Sequence, residues 1–152
     1  VFANVVQGRR DKVRYPAVPH AVFIQPEIAA VGLKEREAAA RYGEEGILIG
    51  FQRFRDTARG EAMGGVEGFA KIIAAREDER LLGAHLVGPQ ASLLIQELVT
   101  VMHSREPTAG AVADSMHIHP ALSEVVEWAC SRLMPPEEYR RELAESNLAE
   151  SS

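Results

Sequence analysis

Two strand-length apolar runs, residues 68–75 (G-F-A-K-I-I-A-A) and 81–88 (L-L-G-A-H-L-V-G), flank the charged tip Arg76-Glu77-Asp78-Glu79-Arg80. Apolar runs joined by so short a polar tip pair as an antiparallel hairpin, because the chain reverses there without room for a crossover. This hairpin constrains the fold more than any other feature, since it excludes an all-helical chain and an all-parallel sheet. Immediately after Gly88-Pro89 the apolar period lengthens from two towards about three and a half. Leu94, Ile95, Leu98, Val99, Val101 and Met102 form one stripe, with Gln96, Glu97 and Thr100 opposite, which predicts an amphipathic helix.

The remaining segments extend the same pattern. Residues 20–25 (H-A-V-F-I-Q) predict a short strand stopped by Pro26, and Ile47, Ile49 and Phe51 alternate as a second one. Residues 34–42 predict a helix ended by Gly43, and residues 108–114 a shorter helix. A further helix is expected to begin at Pro120, a residue favoured in the first turn, with Leu122, Val125, Val126, Ala129 and Leu133 buried and Pro135-Pro136 as its end. Strands first and helices after predict an α+β fold, an antiparallel sheet of four or five strands with helices packed against it. The expected organisation is a lead-in over 1–17 from the end of a preceding domain, one domain over 18–134, and a charged tail over 135–152, loosely helical or disordered.

Composition narrows the function classes. A chain of 152 residues with 46% apolar content can bury one real core. The net charge of −5 argues against a nucleic-acid partner, which needs a basic surface; Arg9, Arg10, Lys12 and Arg14 form only a short basic stretch. No apolar run approaches a membrane span, and the N-terminus lacks a signal-peptide pattern. It also lacks a start methionine, so the chain is expected to begin inside a longer protein. Cys130 stands alone and can form no internal disulfide, which suits a reducing cytoplasm.

The richest segment chemically is His117-Ile118-His119-Pro120-Ala121-Leu122-Ser123-Glu124. Glu124 can accept a hydrogen bond from one nitrogen of His119, fix its tautomer and turn the other nitrogen outward. That would make a general acid/base suited to thiol–disulfide exchange, in which one thiol loses a proton and another gains one. The alternative is structural, with Glu124 favouring the positive end of a helix and His119 preceding it. His117-x-His119 could also offer two imidazoles to a metal, with a third ligand from His20, His85 or His103. No cysteine cluster or H-E-x-x-H supports that, and no metal is expected. His85 is expected as a hydrogen-bonded interior residue, and Trp128 and Cys130 as packing or subunit contacts. Cys130 has no activating neighbour, and no G-x-G-x-x-G follows a strand.

Taken together, Val18-Pro19-His20-Ala21-Val22-Phe23, then Pro26-Glu27-Ile28-Ala29-Ala30-Val31-Gly32-Leu33, Glu37-Ala38, Gly68-Phe69-Ala70-Lys71 and Leu82-Gly83-Ala84-His85-Leu86-Val87-Gly88-Pro89 resemble the dimerisation domain of the pyridine nucleotide–disulfide oxidoreductases. His117 to Glu124 resembles that family's H-x-H-P-x-L-S-E signature, and the likeness runs in order from about Val18 to Leu133. The resemblance implies a homodimer whose subunit contact this domain largely forms, within a full-length enzyme holding FAD and NAD(P) and acting on a disulfide substrate. It implies that His119, held by Glu124, is the acid/base delivered across the interface. His119 and Pro120 would lie against the partner's flavin, and a cis bond between them is expected. The likeness is strongest to dihydrolipoamide dehydrogenase, with Ala121 where many of those enzymes carry Thr. A mycothione- or glutathione-reductase-like enzyme, and a non-catalytic pairing module, are the alternatives. The domains for FAD, nicotinamide and a cysteine pair lie outside this sequence. The chain alone is therefore expected to bind no flavin firmly and to be inactive.

Overall fold

The computed structural model describes residues 2–10, 12 and 17–150. The lead-in expectation falls partly on residues 1, 11 and 13–16, and the tail expectation partly on 151–152, which lie outside the described residues. The first described element is a short helix, α1 (Phe2–Val6).

One six-stranded antiparallel sheet organises the rest, in the order β1-β2-β5-β4-β3-β6. Its strands are β1 (His20–Val22), β2 (Glu27–Gly32), β3 (Ile47–Arg53), β4 (Phe69–Ala75), β5 (Leu81–Gly88) and β6 (Leu133–Met134). The hairpin at its centre is β4–β5, in register from Phe69 opposite Val87 to Ile73 opposite Gly83, with a shift before Ala74. At its tip the Ala75 amide donates to the Arg80 carbonyl at 2.9 Å, and Glu79 takes a positive φ of 54°.

Helices cover both faces. The inner face (Ala29, Val31, Ala70, Ile72, Ala84 and Leu86) packs on α4 (Ala91–Met102), α5 (Ala109–Ala113) and α6 (Glu124–Ser131). The outer face (Ile47, Ile49, Ile73, Ala75 and Leu82) packs on α2 (Glu35–Tyr42) and α7 (Pro136–Glu150). Burial on both sides explains why β4 and β5 read as nearly continuous apolar runs instead of alternating ones. Between β3 and β4 a 3-10 turn (Phe54–Asp56) and α3 (Ala58–Ala62) drive Phe54 fully into the inner core.

The structure differs from the sequence expectation at four places. The sheet has six strands, because Glu27–Gly32 and the two-residue β6 both pair. The helix expected from Pro120 starts at Glu124, since residues 120–123 form a turn held by the Glu124 side chain. Pro135-Pro136 does not end that helix. It stops at Ser131, β6 follows, and Pro136 opens α7, where its missing N–H costs nothing. The tail is an ordered helix over Pro136–Glu150. Tyr139 of α7 is buried, its ring centroid 5.4 Å from that of Phe51, with Lys71 Nζ 4.5 Å from its own centroid. Arg140 bonds Glu44 and also reaches Glu35 at 3.4 Å. Tyr139 and Leu143, one turn apart, suffice to seat an otherwise polar helix.

Two local devices fix the elements around the site. Gln90, ahead of α4, has a left-handed conformation and makes no side-chain cap. Glu27 of β2 does this job from a distance, accepting from Ser92 N at 3.0 Å and Ser92 Oγ at 2.7 Å. These bonds hold the Glu27 carboxyl below its ordinary range. Gly50 of β3 lies under α6, where an added Cβ would fall 1.9 Å from the Ala129 carbonyl oxygen. Gly50→Ala is therefore expected to destabilise the fold by about 1–3 kcal/mol, because backbone and not a flexible side chain must give way. Chemical denaturation checks this, and an unchanged midpoint would show that α6 can shift without cost.

Candidate active site

The loop between α5 and α6 carries the residues of interest. Its direction is set at both ends, by Ser115, whose Oγ donates to the Ala111 carbonyl of α5 at 2.7 Å, and by Glu124 opening α6. Between them Met116 and Ile118 turn outward, 100% and 79% exposed, and the His119–Pro120 bond is cis.

Glu124 is buried, with its side chain 6% exposed, whereas the His119 side chain is 68% exposed. His119 Nδ1 lies 2.7 Å from Glu124 Oε1, and Glu124 Oε2 accepts from the Ala121 amide at 2.9 Å. An ionised carboxylate only accepts, so Nδ1 must carry the proton, leaving Nε2 as the free ring nitrogen of the neutral imidazole. The His119 hydrogen bond is the main cause that holds the Glu124 carboxyl below its usual value. Burial opposes this shift, and the Ala121 amide supports it. A buried anion at the start of a helix, spending one oxygen on the loop backbone and one on the imidazole, orients a histidine whose other nitrogen faces outward. Such a group can take or return a proton.

His117, read from the sequence only as a possible ligand, is a buried anchor. Its Nε2 lies 2.9 Å from Glu97 Oε1 of α4, and its Nδ1 lies 3.0 Å from the Ser115 carbonyl and 3.7 Å from Glu127 Oε2 of α6. Burial works against its charge, but the Ser115 carbonyl, Glu97 and Glu127 outweigh it and raise its pKa above the ordinary histidine value. The two histidines engage separate carboxylates, and no group of three potential ligands converges among the described residues. Sequence reasoning missed Glu97 and Glu127. Glu97 sat on the polar side of a predicted helix, and nothing local marks it as a partner for a residue beyond the next helix.

The other candidates separate from the site. His85 is half-buried, with Nε2 3.2 Å from the Leu33 carbonyl, and burial is the leading cause that lowers its pKa. Cys130 is buried on α6, and burial pushes its thiol well above the usual range, against any nucleophilic role.

Residues 18–130 match the profile of the pyridine nucleotide-disulphide oxidoreductase dimerisation domain. The chain belongs to this family. This dimerisation domain is 38% identical over 136 residues to a dihydrolipoyl dehydrogenase of Chlamydia muridarum, covering 88% of this chain and 28% of that protein. It is 46% identical over 110 residues to a mycothione reductase of Mycobacterium tuberculosis, covering 72% of this chain and 24% of that one. Among solved structures it superposes on LpdA from Mycobacterium tuberculosis with a TM-score of 0.73 and 28% identity, over 85% of this chain and 28% of that chain. The dimerisation domain thus spans under a third of the length of the curated relatives it matches. No helix among its described residues is long and apolar enough to cross a membrane.

Proposed function

We propose that this dimerisation domain pairs with a second copy of itself inside a flavin-dependent, dihydrolipoyl-dehydrogenase-like enzyme of a reducing cytoplasm, and that His119 is the acid/base for its thiol–disulfide step. One observation carries the reading: a histidine tied through Nδ1 to a buried carboxylate while its Nε2 side faces open space. In the forward direction Nε2 accepts the proton of a substrate thiol, and the thiolate sulfur attacks one sulfur of the enzyme's cysteine pair. The S–S bond breaks as a new one forms, and the proton on Nε2 is available to the departing thiolate. Glu124 stabilises the imidazolium formed in between.

The family implies FAD and NAD(P). Nothing among the described residues cradles a dinucleotide. Its sheet is antiparallel, and the α4 N-terminus that follows a strand is already capped by Glu27. The exposed His119-Pro120 segment and Ile118 fit a lesser part, one edge of a flat ring held by another subunit. The flavin would pass electrons between nicotinamide and the cysteine pair.

Pairing has its own support. Phe23, beside Ser92 and Ile95 near α4, is 80% exposed, and Leu93 on that helix is 67% exposed. Met116 and Ile118 are likewise exposed, on the loop tied to α4 by His117 and Glu97, and exposed large apolar side chains on and beside one helix suit a subunit contact. Leu93→Glu is expected to weaken dimerisation at least about tenfold, read by sedimentation equilibrium; an unchanged association constant would move the contact elsewhere.

The acid/base assignment is tested by measuring the two half-reactions separately in the intact flavoenzyme and its His119→Ala variant. A slowed thiol–disulfide step with normal flavin reduction by the nicotinamide supports it. Equal loss in both, or loss in neither, rejects it.

A further inference from the structure

His117 is one of three consecutive residues in the loop, yet it alone turns inward. Its side chain is 8% exposed, between Met116 and Ile118, which face out. Both ring nitrogens meet acceptors: the Glu97 carboxylate at 2.9 Å on Nε2, and the Ser115 carbonyl at 3.0 Å on Nδ1, with Glu127 Oε2 at 3.7 Å behind it. A neutral imidazole has one N–H and would set a lone pair against one of these oxygens. Only the imidazolium donates to both. The loop that bears His119 is thus joined to α4 by a hydrogen bond, braced on its own Ser115 carbonyl, and held near α6 by an ion-pair contact, all through one side chain two residues away.

We propose that His117 is a positioning residue, fixing residues 115–119 between α4 and α6 so that His119 presents Nε2 in a single place. This rests on the acid/base reading of His119. The groups facing His117 are Glu97 from α4, Glu127 and Glu124 from α6, and the Ser115 carbonyl from the loop. The Cys130 thiol, which senses Glu97, is kept neutral by burial. The folded-state pKa of His117 is raised, so its contribution is complete below the unfolded histidine value and is lost as pH rises through the folded value. Presentation of His119 should therefore loosen on the alkaline side.

The experiment uses the intact flavoenzyme with His117→Ala, Glu97→Gln and, as reference, His119→Ala. In His117→Ala the thiol–disulfide half-reaction is expected to fall about 10- to 100-fold, while flavin reduction stays within about twofold. Amide exchange of residues 115–119, followed by mass spectrometry, should quicken about tenfold. Glu97→Gln keeps an acceptor but removes the charge, so the alkaline limb of the thiol–disulfide rate should move to lower pH. This second variant decides the matter if His117→Ala does not fold. A thiol–disulfide rate within about twofold of wild type in His117→Ala, or an unmoved alkaline limb in Glu97→Gln, overturns the positioning role. If His119→Ala is slow while those two behave as wild type, only the positioning role falls. If His119→Ala runs at full rate, both readings fall together.

Discussion

Replacing His119 by alanine in the intact flavoenzyme should slow the thiol–disulfide half-reaction by about 10²- to 10⁴-fold, the usual worth of a positioned general acid/base. The magnitude follows from what the side chain offers. Its Nδ1 is committed to Glu124 at 2.7 Å, so the imidazole is held in one tautomer with Nε2 free. Alanine leaves water to take the proton, without orientation and with Glu124 buried and short of one partner. Nicotinamide-driven flavin reduction needs no proton from this loop and should keep its rate. Stopped-flow absorbance of the flavin separates the two steps. A proportional fall in both would point instead to damage in pairing, which the dimer mass would reveal.

Phe54→Ala should destabilise the fold by about 3–5 kcal/mol, the largest stability effect expected of a single truncation here. Phe54 is fully buried among the inner-face residues, and its ring fills the space beside Gly88, where an added Cβ would come within 2.4 Å of it. Its backbone is fixed as well. The amide donates to the Gly68 carbonyl at 3.1 Å, and its carbonyl accepts from Thr57 Oγ1 at 2.7 Å. Because the main chain is pinned on both sides, the site cannot collapse to fill the cavity, which places the cost towards the upper end. Urea denaturation measures it, and a loss under about 1 kcal/mol would mean that the core relaxes around the missing ring.

The hairpin, the α4 stripe and the short α5 were legible because each is a local pattern, strand-length apolar runs or a period near 3.6 between turn residues. The His119–Glu124 pair was legible for the same reason, since its partners are five residues apart. The start of α6 was misread because Pro120 suits a first helical turn, whereas the Glu124 carboxylate holds residues 120–123 as a turn instead. β6 was missed because two residues carry no period, and α7 was left between a loose helix and disorder because a mostly charged helix needs only Tyr139 and Leu143 to dock.

By itself, then, the sequence determined the α+β class, the antiparallel centre and the local pairing of His119 with Glu124. Only the tertiary structure decided that the tail completes the outer layer, that Glu27 caps α4, and that Glu97 grips His117. Those contacts join residues 105, 65 and 20 positions apart (Arg140 to Glu35, Ser92 to Glu27, His117 to Glu97). Periodicity tells which side of an element is buried, but not which distant polar group waits there; that is set when the layers close and each buried charge must find a partner.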